Sequence, residues 1–262
     1  MNLCVDLKLK RDQISIMHRY QVLIEYVGAN FIGWQIQSKG NSIQKLIQNK
    51  ISKLLKEKIS LIGSGRTDKG VNAWGQSAHF DTKKKIINTN KFIYSLNFFL
   101  NKKLISILEI KRRNLNFHAR YSAKERIYEY IILNRLASPS IDKNKVWHVR
   151  KKLDLKLIKK AAKMLLGKND FKTFQASNCY SMTSIKTLKR INIKKRNEKI
   201  EIQFKSKSFL RNQVRSMVGC LVYVGKKKWS LKKFENIFKS KKRKLCAPPA
   251  PAHGLYLLKV NY

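Results

Sequence analysis

Acidic side chains are scarce in this sequence: 15 Asp and Glu stand against 58 Lys and Arg, for a formal net charge of +43. That balance implies a polyanionic partner. Nucleic acid fits better than a membrane surface, because the charge spreads along the chain and no single amphipathic helix holds it. Part of the Lys excess matches drift toward A-rich codons, since Ile and Asn are abundant too; the Arg residues inside motif-like stretches do not. Cysteine is sparse as well. Cys4, Cys179, Cys220 and Cys246 form no C-x-x-C pair, which argues against a zinc site or disulfide framework and fits a reducing compartment. No uncharged apolar run approaches the roughly 18 residues that span a bilayer. The charged N-terminal stretch lacks a signal-peptide core. The expectation is a soluble, cytoplasmic protein with no membrane association. Residues 1–17 read as an N-terminal extension, with Met17 as a candidate alternative start.

What is present is a sizeable apolar fraction, 43% with twelve Phe and ten Tyr, enough to bury a core. YQVLIEYV (20–27) has a buried-strand pattern. SIQKLIQNKISKLLKEK (42–58) keeps helical spacing behind Ser42, a capping residue type. GQSAHFDT (75–82) alternates as a strand, 90–100 reads as a helix and 104–111 as a strand. In the second half, 125–133 alternates as a strand, and a helix capped by Asp154 runs to a stop at Gly167. Strands follow near 187–194 and 199–206, then a helix from Ser208 to Tyr223, a short one after Ser230, and a last strand at 254–260. This order predicts an α+β chain of two related lobes rather than a doubly wound nucleotide fold. No Pro/Gly/Ser-rich linker separates the lobes; they are placed at 18–115 and 116–262.

The segment GSGRTDKG (63–70) sets one carboxylate, Asp68, among Arg66, Thr67 and Lys69. A phosphate-loop reading fails: a G-x-x-x-x-G match from Gly65 ends at Gly70, and Val71 and Asn72 follow where Lys and Ser or Thr are required. The dinucleotide pattern fails because Asp68 occupies its third glycine position. A metal-dependent nuclease would want several convergent acids or histidines, and Asp68 has no acidic neighbour nearer in sequence than Asp81 or Glu57. The plainest alternative is an Asp that hydrogen-bonds the backbone of its own turn.

A longer string changes that balance. GRTDKGVNAWGQSAHF (65–80) resembles the G-R-T-D-[AK]-G-V-H-A-x-x-Q signature of the tRNA pseudouridine synthase A family. Five more stretches match in order: Tyr26, Gly28, Phe31, Gly33, Trp34 and Gln35 as YxGxxFxGWQ; FHARYSA (117–123); AA-x-x-LLG-x-x-DF-x-x-F (161–174); SFLRNQVRSMVG (208–219); and AHGLYL (252–257). The resemblance covers about residues 20 to 262.

It implies a pseudouridine synthase-like fold, with a central antiparallel sheet across both lobes, flanking helices and an active cleft between the lobes. The implied reaction isomerises uridine to pseudouridine at positions 38, 39 and 40 of the tRNA anticodon stem-loop. A homodimer is the family's assembly. Breaking the bond between uracil and ribose and rejoining the base through C5 involves no redox step, so neither cofactor nor metal is required. One ionised carboxylate suffices, as nucleophile or as anionic support for an oxocarbenium-like state, and arginines would keep it charged. By the resemblance that carboxylate is Asp68, facing Arg215. Arg211, expected one turn earlier on the same helix, would contact RNA. Tyr128 matches the family's active-site tyrosine, able to stack on the uracil and to move a proton at C5. The target uridine must turn out of its stack. Arg66, Gln76, Phe117, His118, Arg120, Tyr121, Lys186 and Arg211 are the expected RNA contacts. Asn72 stands where the family usually has His, and Met182 where it usually has Arg; the loss of that cation puts one RNA contact in doubt, though not the reaction. A non-catalytic RNA-binding or ribosome-associated protein, a metal-dependent nuclease and a synthase for another RNA are the alternatives.

Overall fold

The computed structural model describes residues 16–177 and 181–262. Most of the expected extension 1–17 lies outside them, as do Cys4 and Cys179. In chain order the elements are β1 (His18–Tyr26), α1 (Ile43–Leu55), β2 (Ile62–Gly63), β3 (Asn72–Thr82), α2 (Thr89–Leu100) and β4 (Ile105–Arg113). Then come β5 (Glu125–Leu133), β6 (Trp147–His148), α3 (Leu155–Lys163), β7 (Gly167–Asp170), β8 (Ile185–Arg196) and β9 (Lys199–Ser206). The chain ends with α4 (Gln213–Gly225), α5 (Leu231–Lys239) and β10 (Leu255–Asn261). No helix among the described residues is long and apolar enough to cross a membrane.

All ten strands form one sheet, ordered β4-β1-β3-β10-β5-β9-β8-β7, with β2 beside β3 and β6 beside β5. The fold is therefore α+β with a largely antiparallel sheet. Alternation decides which face is covered. Tyr20, Val22, Ile24 and Tyr26 of β1 are buried, as are Tyr128, Tyr130 and Ile132 of β5 and Ile200, Ile202 and Phe204 of β9. Cross-strand register puts Tyr128 opposite Phe204 and Tyr130 opposite Ile202, so one sheet face holds a continuous apolar layer. Ser42, Asp154 and Ser230 cap α1, α3 and α5 by accepting backbone N–H bonds from Lys45, Leu157 and Lys233.

Two helix ends differ from expectation, and both differences bear on function. The α3 helix stops at Lys163, and Gly167, in the left-handed region at φ +90°, instead opens β7, whose pairing with β8 outcompetes further helix. The α4 helix starts at Gln213 rather than Ser208, after Asn212 in the left-handed conformation at φ +62°. Arg215 is thus helical while Arg211 belongs to the preceding turn, and the expected shared helix face for the two does not exist.

At the seam, β3 and β10 run parallel through Asn72–Tyr256 and Ala73–Leu257. This parallel pairing joins the two antiparallel halves, β4-β1-β3 and β10-β5-β9-β8-β7. Asn72, one of the two departures from the family pattern, is buried in this seam. Its Oδ1 accepts the Gly28 N–H at 2.8 Å and its Nδ2 donates to the His253 carbonyl at 2.9 Å. Met182, the other departure, is fully exposed. Replacing Asn72 with Ala would strand a buried N–H, and urea unfolding of Asn72→Ala should show a loss of about 1–3 kcal/mol.

Candidate active site

The loop between β2 and β3 carries Asp68, and its bed is laid by the segment after β1. The Tyr26 and Thr67 hydroxyls share a buried hydrogen bond of 2.7 Å, and Trp34 N–H donates to the Thr67 carbonyl at 3.1 Å. Gly28 and Gly33 are required by close approach: a Cβ on either would fall 2.1 Å from the Val71 carbonyl oxygen or 2.7 Å from that of Thr67. The YxGxxFxGWQ stretch is therefore the seat of the GRTD loop.

The other side of the loop is held by β3. Gln76 is fully buried, accepting from the Ser64 hydroxyl at 2.8 Å and donating to the Gly65 carbonyl at 3.0 Å. Gln76, an expected RNA contact, is here buried and bonded to the base of the loop, as a buried amide must find partners.

The turn itself closes through backbone: Val71 N–H donates to the Asp68 carbonyl at 3.1 Å, with Gly70 at φ +77°. Among the described residues no backbone N–H donates to the Asp68 carboxylate, so the self-capping alternative is not made. The carboxylate, 27% exposed, instead faces Arg211, whose Nε lies 3.4 Å from Oδ1. The ion pair expected with Arg215 is thus made by Arg211. Arg215 donates from Nε to the Ala250 carbonyl at 2.7 Å and reaches Asn212 Oδ1 at 3.4 Å. Burial lowers its pKa, and the nearby Asp68 charge opposes that.

Tyr128 closes the site from β5. Its ring meets Phe209 edge-on at 5.2 Å, and its hydroxyl makes no hydrogen bond among the described residues. Burial pushes this phenol up to about 12; Arg126 pulls it down and the Asp68 charge pushes it further up. At neutral pH the hydroxyl is protonated and available to donate. Asp68, Tyr128, Arg211 and Arg215 thus come together from four different elements of the chain.

The FHARYSA stretch forms a braced turn. Arg19 donates to the Leu115 and Phe117 carbonyls, while His79 Nδ1 accepts the Ala119 N–H at 3.1 Å. The Tyr262 hydroxyl donates to the Ala119 carbonyl at 2.9 Å. Phe117 packs against His79 and Tyr262. His118 Nδ1 accepts the Arg120 and Tyr121 N–H groups. Phe117 and His118, both half-buried, thus also brace the turn. What the turn presents outward is Arg120 and Tyr121, the guanidinium 5.6 Å from the centre of a ring that is 73% exposed. Arg66 is exposed and unpartnered among the described residues, and Lys186 lies half-buried on β8.

Sequence reasoning missed Arg126. It shares the buried register of β5 with Tyr128 and Tyr130, and a cation on the inward face of an alternating strand was the available signal. It also missed that Cys220 and Cys246 meet, as free thiols with Sγ atoms 3.4 Å apart. Among the described residues no three His, Cys, Asp or Glu side chains gather as a metal-binding group would.

A profile of the family described as tRNA pseudouridine synthase matches residues 22–122 and again 161–262. The chain belongs to the tRNA pseudouridine synthase family. The double match marks the two halves as related lobes. A protein of Pelagibacter ubique named tRNA pseudouridine synthase A is 64% identical over 246 residues, 94% of this chain and 100% of that protein. One of the same name from Neorickettsia sennetsu is 42% identical over 244 residues, 93% of this chain and 100% of its own.

His79 gives the site's scaffold a pH dependence. Burial, then the charges of Arg19 and His118, lower it from 6.5 to about 4, with Asp81 opposing. The folded value lies below the unfolded one, so this stabilisation is complete above about pH 6.5 and fades as pH falls toward about 4. His79→Asn keeps an acceptor for Ala119 but cannot titrate. Urea unfolding across that window should give a flatter stability profile for this variant than for the parent.

Proposed function

We propose that the chain is a cofactor-independent isomerase converting uridine to pseudouridine in tRNA, with Asp68 as its nucleophile. The observation that carries this reading is a single carboxylate, not needed by its own turn, held in a loop buried on both sides and opposed by guanidinium groups. Such a carboxylate can attack the ribose carbon as its bond to uracil N1 breaks; the freed base turns, its C5 displaces the carboxylate from that carbon and so releases the free acid anion, and the C5 proton leaves as N1 gains one. Arg211 and Arg215 lie beside the acid and stabilise the negative charge that shifts during the step. Tyr128 provides a ring to stack on the turned-out uracil and, within the same pocket, a protonated hydroxyl that can take the C5 proton only as it passes its own proton on. Arg66, Arg120, Tyr121 and Lys186 grip the backbone and bases beside it.

The anticodon stem-loop, with positions 38, 39 and 40, is the target that the resemblance implies. The cytoplasm is the matching compartment. The lobes are taken as 18–115 and 116–262, a division supported by the β3–β10 seam. A homodimer is supported by the apolar face of α2 and β4, where Tyr94, Phe98 and Leu108 are exposed together, since such patches mark association surfaces.

Two measurements test this reading. Asp68→Asn should lower pseudouridine formation by at least about a thousandfold while leaving tRNA affinity largely intact, read by chemical labelling of pseudouridine and by filter binding. Retained product would remove the assigned role, and product mapped elsewhere than 38–40 would relocate the target. Phe98→Glu should shift the particle from dimer to monomer by light scattering.

A further inference from the structure

Arg126 is a cation 9% exposed, and no carboxylate among the described residues lies within ion-pair distance of it. Its fork is spent on backbone. Nη2 and Nε donate to the Ser64 carbonyl at 2.6 and 3.3 Å, Nη2 also to the Arg120 carbonyl at 2.9 Å, and Nη1 to the Lys207 carbonyl at 2.5 Å. A buried charge with no counterion is expensive, and a planar fork reaching three acceptors is something Lys cannot reproduce.

The three acceptors are not scattered. Ser64 begins the loop that carries Asp68. Lys207 begins the turn that carries Arg211, the partner of Asp68. Arg120 itself lies in the turn that displays Tyr121. One guanidinium therefore ties both ends of the Asp68–Arg211 pair to the RNA-facing turn, from the same strand face that carries Tyr128 two residues on. Burial lowers the Arg126 pKa, and no carboxylate is among the groups that act on it, consistent with a charge kept for its hydrogen-bond geometry.

We propose that Arg126 is a positioning residue for the reaction: it fixes the carboxylate at 68 relative to the side chains that grip the RNA. This rests on the isomerase reading above. A staple for the fold at large would act on stability and affinity together, whereas a positioning clamp acts on the chemical step.

The test compares Arg126→Lys, which keeps charge and stem, and Arg126→Ala with the parent. For Arg126→Lys, single-turnover pseudouridine formation at saturating tRNA should fall about tenfold to a hundredfold, with tRNA Kd nearly unchanged. Millimolar guanidinium, but not sodium at equal ionic strength, should restore part of the rate of Arg126→Ala. Hydrogen exchange in Arg126→Lys should quicken jointly over 64–70, 118–122 and 207–211 and stay unchanged within β9. An unchanged rate, an equal fall of rate and affinity, exchange that rises across the whole sheet or not at all, or loss of cooperative unfolding in Arg126→Lys would each overturn the proposal. If the parent makes no pseudouridine, the isomerase reading fails by itself, and the exchange measurement still decides whether Arg126 joins the three segments.

Discussion

The buried hydrogen bond between the Tyr26 and Thr67 hydroxyls, with Gly28 and Gly33 pressed against the same loop, allows the Asp68 turn to stand without its own side chain. An Asp in a Gly-rich turn ordinarily folds back to satisfy backbone N–H groups. Here the backbone closes the turn, Gln76 and Ser64 hold its base, and the carboxylate is left to face Arg211. Every later feature of the candidate site depends on that release of one acid from structural duty.

The scarcity of acid elsewhere supports the same outcome. Many of the remaining carboxylates are engaged with surface cations: Glu125 with Lys189 and Lys205, Glu198 with Arg135, Asp142 with Lys199. Exposed pairs of this kind add little stability, but they leave far more cations than anions. The surplus includes Arg66, two residues from Asp68, and Arg120 on the FHARYSA turn, so the potential on this face suits an RNA backbone before any specific contact forms.

The seam between β3 and β10 explains why motifs far apart in sequence act as one. Asn72 joins Gly28 to His253 across it, and Arg215 and the 246–251 segment meet through reciprocal bonds between Arg215 and Ala250. AHGLYL is thus part of the wall behind the loop. Its glycine has a packing reason: a Cβ on Gly254 would meet the Tyr130 ring at 2.8 Å.

Local pattern determined a good deal. The alternation of β1, β5 and β9 and the caps Ser42, Asp154 and Ser230 could be read directly, because period and capping chemistry are properties of neighbouring residues. The motif string likewise carried the family and singled out Asp68, Tyr128 and Arg215 as a set. Tertiary structure alone decided which guanidinium meets the carboxylate. Asn212 in the left-handed region starts α4 late and frees Arg211 to reach across. It alone showed how Gln76, Phe117 and His118 are tied into the loop and turn around the site, since those partners come from segments that sequence proximity does not reveal. And it alone gave Arg126 its partners, which are backbone carbonyls and so leave no trace in residue identity.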